Sequence, residues 1–155
     1  MVDRIEVARE VRAAPEVVWQ LVSDLPRMGE WSPENNGGTW IKGAKGPAPG
    51  AKFKGRNANG SHRWSTTVKV IDAMPDERFS FVVTVGPLKI AEWSFDIEPT
   101  KRGCMVVETW VDQRGGFMKQ LGAKASGVED RVAHNRAGMK QTLEGIAAAA
   151  ESTSP

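Results

Sequence analysis

Few residues of this chain could act as a catalyst or grip a ligand by polar chemistry, and their spacing limits what they can do. The histidines, His62 and His134, stand far apart, and Cys104 is the single cysteine. That set lacks the paired spacing of a zinc site, so no metal is expected, and nothing points to a cofactor. The glycines of 37–60 have neither the order of a phosphate-binding loop nor a helix after them. Cys104 begins an apolar strand and reads as an inert small hydrophobe rather than a nucleophile. Ser65 alternates with Trp64, so it points away from the face that Trp64 takes.

Two constellations remain. Arg131, His134 and Asn135 fall together near the start of a C-terminal helix, and Arg131 and Asn135, four apart, share a flank beside its apolar stripe. In a pocket they could polarise a carbonyl or stabilise an enolate, with His134 moving a proton near neutral pH. The bland alternative leaves Arg131 and His134 in solvent and gives Asn135 a local bond. Glu108 is the second candidate. If Trp110 faces inward, Glu108 does too, together with Cys104 and Val106. A buried carboxyl there would have a raised pKa and be a catalytic candidate. If Met105, Val107, Thr109 and Val111 face inward instead, Glu108 is solvated. The odd set is more uniformly apolar and Trp110 is the larger single side chain, so both faces stay open. An Arg131–Glu108 pair across a cavity is a further arrangement.

The chain that must position these groups has 155 residues. That length suits one domain, expected over 1–150, with 151–155 as a frayed tail. The net charge is +2, from 21 basic and 19 acidic residues. The basic residues are scattered, which argues against a nucleic-acid partner. No apolar run approaches the roughly 20 residues that span a bilayer, and the opening MVDRIEVARE has no apolar stretch to serve as a signal peptide, so none is expected. A cytoplasmic protein without stable membrane insertion, monomer or homodimer, is expected.

Hydrophobic periodicity gives the elements. Residues 3–12 alternate, with Ile5, Val7 and Val11 on one face of a strand. Pro15 opens a short amphipathic helix over 15–23. Asp24 could cap a second short helical piece ending near Trp31, before Pro33. Asn35–Gly38 read as a turn, 39–42 as a brief strand and 43–50 as a loop. Asn59-Gly60 signals a tight hairpin between strands 51–58 and 62–73. Strands 78–85, 88–98 and 104–112 follow across short turns, an antiparallel meander with one apolar face. From about Val128, the residues Val132, Met139, Leu143 and Ile146 continue one helical stripe, about 33 Å long at 1.5 Å per residue. Such a helix could cover the sheet. The stripe breaks where Asn135 or Arg136 should sit. Between strand and helix, 115–127 carries Phe117, Met118 and Leu121, either a Gly-hinged lid or a short helix packed on the edge.

A curved sheet gripping one helix leaves room between them. There are six Trp and no Tyr, and pockets are mostly apolar and aromatic. The expected sheet-side lining is Phe53, Trp64, Phe81 and Trp93, with Trp31, Trp40 and Trp110. Met118, Arg131, Asn135 and Met139 are expected from the helical side.

Several segments carry a resemblance. After the opening strand come APEVVWQLVSDLPRMGEWSPE, GAKGPAPGAKFKGRN, RWSTTVKV, AEWSFDIEP, VVETW and RAGMKQTLEGIAA. From about Asp3 to Ala148 the chain resembles the helix-grip superfamily of START lipid-transfer domains and pollen-allergen-like proteins. Within it the chain is most similar to the small bacterial polyketide cyclase/dehydrase and lipid-transport group. The resemblance implies an α+β helix-grip fold of about six to seven strands wrapped around a long C-terminal helix. It implies a small hydrophobic ligand, a lipid, polyketide or similar, as partner. Some members are cyclases or dehydrases, so the enzymatic alternative stands, with Glu108 and His134 as its acid/base candidates. A protein-interaction module with a filled core is the third reading. A cavity above about 300 Å³ separates the ligand readings from the third.

Overall fold

The computed structural model describes residues 3–152. The order is β1 (Arg4–Val11), α1 (Pro15–Val22), a 3₁₀ segment (Leu25–Glu30), β2 (Asn35–Ile41), β3 (Lys52–Asn59), β4 (His62–Met74), β5 (Arg78–Val85), β6 (Leu88–Pro99), β7 (Cys104–Asp112), α2 (Gly116–Ser126) and α3 (Arg131–Ser152). The seven strands form one antiparallel sheet in the order β1-β7-β6-β5-β4-β3-β2. This is the α+β helix-grip arrangement. Short turns dictate the meander from β2 to β7. Only β1 crosses, pairing with β7 from Arg4↔Val111 to Val11↔Cys104. Ladder irregularities at Asn35/Gly38, Val70/Asp72 and Val83/Thr84 are of the kind that bends a sheet.

Four boundaries differ from the expectation. Asn35–Gly38 is not a turn but the irregular start of β2. Gly37 and Gly38 have φ of 87° and 157°, and a Cβ on Gly38 would lie 2.2 Å from the Lys54 carbonyl oxygen. Paired glycines look like a turn, yet here they allow a bulged strand to press on β3. In the β3–β4 hairpin, Asn59 still pairs with His62, so the connecting residues are Gly60 and Ser61. Helix α3 starts at Arg131 rather than Val128, because Asp130 Oδ1 caps it by accepting the Ala133 N–H at 3.1 Å. At its other end Glu151 and Ser152 belong to the helix, and Glu151 accepts the Arg12 backbone N–H at 3.0 Å. The remainder of the expected tail, 153–155, lies outside the described residues.

Dense packing is concentrated at one end. Val18 and Val22 of α1 and Ile146, Ala147 and Ala150 of α3 are fully buried against Phe79, Phe95 and Val106 of the sheet. Each large aliphatic or aromatic side chain buried this way contributes about 1.5–3 kcal/mol. Trp31 belongs here. A Cβ on Gly145 would stand 2.5 Å from the Trp31 Cβ, so α3 can approach this closely only without a side chain there. The Trp31 indole donates to Met28 Sδ at 3.1 Å, and the Trp19 indole donates to the Arg78 carbonyl at 3.2 Å. Among the described residues no helix is long and apolar enough to cross a membrane.

Candidate functional site

Beneath the N-terminal half of α3 the packing opens into a cavity of about 440 Å³. The period-two alternation of the strands aims Phe53, Trp64, Phe81, Trp93 and Trp110 into it. Trp93 and Trp110, directly paired across β6 and β7, stack tilted with ring centroids 6.4 Å apart. The roof is Asn135, Met139 and Thr142 of α3, and the rim carries Met118 and Leu121 of α2 with Val85 and Ile90 of the β5–β6 hairpin. The 115–127 segment is thus mainly helix, with Met118 at the cavity and Phe117 exposed.

Two expected lining residues fall elsewhere. Trp31 sits in the dense core, held against α3 at Gly145. Trp40 lies on the terminal strand β2 and packs edge-on against its ladder partner Phe53, with centroids 5.3 Å apart. Three of the six tryptophans, Trp64, Trp93 and Trp110, line the cavity.

The even face of β7 is the inward one. Cys104, Val106, Glu108 and Trp110 are all buried, Glu108 with 3% of its surface exposed. The odd valines Val107 and Val111 lie on the outer face beside Arg4, Glu6 and Asp96. Across the sheet Glu108 faces Val7 and Phe95. Its Oε1 has no hydrogen-bond partner among the described residues. Burial pushes its carboxyl well above the usual carboxylate range, with no charged group contributing to the shift. The site therefore favours the neutral acid, which can donate a hydrogen bond.

The second constellation is at the mouth. Arg131 bonds Glu34 Oε1, the Asn135 amide oxygen at 3.2 Å and Ser126 Oγ at 2.8 Å. It does not pair with Glu108, because Glu34, Asn135 and Ser126 hold it. His134 Nε2 stands 3.4 Å from Glu34 Oε2, an ion-pair separation, yet that buried oxygen accepts no hydrogen bond among the described residues. Asn135 is 7% exposed on the same face as Met139 and Thr142. The break in the apolar stripe is therefore the polar spot of the cavity roof, and Arg136 is the exposed neighbour. His134 is half-buried on the lip.

Two participants escaped the sequence reading. Glu34 lies in SPENN, which resembles any polar turn, and only the fold carries it to Arg131, 97 positions away. Arg114 also lines the cavity and clamps Asp112 with two bonds, at 2.9 and 2.8 Å. Burial opposes ionisation of Asp112, but the bonds from Arg114, with Lys119 nearby, outweigh it and hold the carboxyl below its ordinary value. An acid two residues before a base on a strand end was the available signal. Cys104 is fully buried, and its thiol is pushed up to about 11, first by burial and then by Glu16 and Glu10. It is no nucleophile at neutral pH. Ser65 is exposed. Among the described residues no three His, Cys, Asp or Glu side chains converge as metal ligands.

The sequence profile described as polyketide cyclase / dehydrase and lipid transport matches residues 3–151. No curated protein matches the chain. A Polyketide_cyc-like protein from Corynebacterium glutamicum, solved in solution, is 32% identical, with 94% of this chain and 90% of that one covered and a TM-score of 0.64. The di-domain ARO/CYC StfQ from the steffimycin biosynthetic pathway shares the fold at 14% identity and a TM-score of 0.73, over 98% of this chain and 51% of that one. So does ginseng major latex-like protein 151 from Panax ginseng, at 8% identity and a TM-score of 0.72, over 96% and 97%. The chain belongs to the polyketide cyclase / dehydrase and lipid transport family.

Proposed function

For this member of the family we propose the binding or transport of a small, mainly apolar ligand in the cavity beneath α3. The observation that carries the reading is the cavity of about 440 Å³ with an aromatic wall, above the roughly 300 Å³ at which ligand pockets begin. Phe53, Trp64, Phe81, Trp93 and Trp110 form the sheet wall of the binding site, and Met118, Arg131, Asn135 and Met139 complete it. A filled core, which an interaction module needs, is at odds with this volume. The chain from 1 to 150 is proposed to work as one cytoplasmic unit, monomer or homodimer, readable by sedimentation. The test of binding is titration with the neutral dye Nile red, beside a Met139→Trp variant that fills the roof. Saturable binding that the variant loses while remaining folded is the expected result. A folded native protein that binds neither the dye nor any co-purified molecule, by native mass spectrometry, would end this reading.

A second reading is favoured by one observation. Glu108 presents a buried, proton-holding carboxyl to the cavity, as a cyclase or dehydrase needs for acid/base work. His134 is the other candidate, at the lip. Once a substrate is known, Glu108→Gln and His134→Ala should each slow turnover by at least about a hundredfold. Unchanged turnover in both removes the enzymatic reading.

A further inference from the structure

The ionisable side chains of the cavity wall are Glu34, Glu108, Arg114, Arg131 and His134. The two arginines are already engaged. Arg131 directs both terminal nitrogens at Glu34, Asn135 and Ser126, and Arg114 directs two nitrogens at the two oxygens of Asp112. His134 faces Glu34. An incoming anion thus finds no unneutralised cation in the wall. Two buried oxygens of the wall are left over, Glu108 Oε1 on the sheet and Glu34 Oε2 at the mouth, neither with a hydrogen-bond partner among the described residues. A buried polar atom without a partner is costly, and a ligand that supplies one gains by it.

We propose that the cavity selects an uncharged amphiphile, an apolar body bearing a hydroxyl or carbonyl that hydrogen-bonds Glu108, and discriminates against carboxylates and amines. This rests on the ligand-binding reading above and specifies the ligand's class. The chemistry decides among head groups. A hydroxyl can donate to Glu34 Oε2 or bond Glu108 in either direction, and a carbonyl can accept from the Glu108 carboxyl. A carboxylate has no proton to offer Glu34 and would stand beside that group's own charge. An ammonium would have to leave water for an aromatic wall and draw a second charge onto Glu108, between Val7 and Phe95. Glu108 therefore acts as a specificity residue for the head group, while Trp93, Trp110 and Met139 hold the body.

The experiment is competition against Nile red by four probes of one chain length, dodecan-1-ol, dodecanoate, dodecylammonium and dodecane, at neutral pH and below micellar concentrations. The alcohol is expected to bind at least about tenfold more tightly than each charged probe, and more tightly than the alkane. Glu108→Leu should cut the alcohol-over-alkane preference by about tenfold, the worth of one such bond, while Glu108→Gln keeps most of it. Dodecanoate or dodecylammonium binding as well as the alcohol overturns the proposal and leaves ligand binding standing. So does a folded Glu108→Leu protein with an unchanged alcohol-over-alkane ratio. If that variant does not fold, the ranking on the native protein decides alone. Failure of Nile red and all four probes to bind the native protein ends the ligand-binding reading and this one with it.

Discussion

The two halves of α3 lie along one sheet and meet it differently. From Leu143 to Ala150 the helix presents Leu143, Ile146, Ala147 and Ala150, all buried at 2% exposure or less, and Gly145 brings it against Trp31. Small and branched apolar groups let helix and sheet interdigitate there. From Arg131 to Thr142 the inward residues are Arg131, Asn135, Met139 and Thr142, and helix and sheet enclose a void. The polar groups of this half are met by one another, by Glu34 and by the helix backbone, as when Thr142 donates to the Gly138 carbonyl at 2.8 Å. The same element thus anchors the fold with one half and roofs the site with the other. Stability and binding are separable along it.

The largest expected effect tests that separation. Ile146→Ala should cost about 3–4 kcal/mol, since rigid neighbours leave the lost volume empty. Met139→Ala, although 1% exposed, opens into the existing void and should cost about 2 kcal/mol. Urea denaturation measures both, and equal losses would erase the contrast. Next come the two glycines. Gly145→Ala should destabilise by about 1–3 kcal/mol, because its methyl meets Trp31. Gly138→Ala meets only the Pro33 ring, at 3.4 and 3.9 Å, and should stabilise by up to about 1 kcal/mol through better helix propensity. Thermal melts decide the signs.

The last contrast is one of pH. Glu108 keeps its proton in the folded state above the pH at which the unfolded chain loses it. Stability is therefore expected to fall as pH rises from the unfolded value near 4.5 toward the raised folded one, by at most about 1.4 kcal/mol per pH unit. Arg114, Arg131, His134 and Glu34 share the cavity, but burial is the cause of the shift and they are paired elsewhere. Glu108→Gln should gain on the native protein across that range. Parallel stability–pH curves for the two would show that Glu108 ionises freely.

The sequence showed the sheet more clearly than the site, for physical reasons. Alternation aims Trp64 and Trp93 at the cavity because Arg63, Ser65, Glu92 and Ser94 give them polar neighbours on the opposite face, whereas Phe81, between Ser80 and Val82, follows the face set by Phe79. Strand β7 resisted the same argument. Its odd residues Val107 and Val111 are also apolar, though they belong to the outer surface, so one strand's pattern could not pick the face, and with it the place of Glu108. Trp40 falls away from the cavity because periodicity assigns a face, not a position along the sheet, and Trp31, which follows the 3₁₀ segment, has no strand face to read. Glu34 carries no periodic signal at all, since its role exists only once β2 has been laid across from α3.

The pairing of β1 with β7 has a consequence in time. Local hairpins can assemble the strands from β2 to β7 as they emerge from the ribosome, but β1 leaves first and must wait for the far edge of the sheet. The last anchor arrives later still, when Arg9 meets Glu144, 135 positions downstream. Closing so long a loop is a slow step. Until α3 is made, the aromatic face of the sheet is uncovered, and the nascent chain is most prone to stick to its neighbours at that stage.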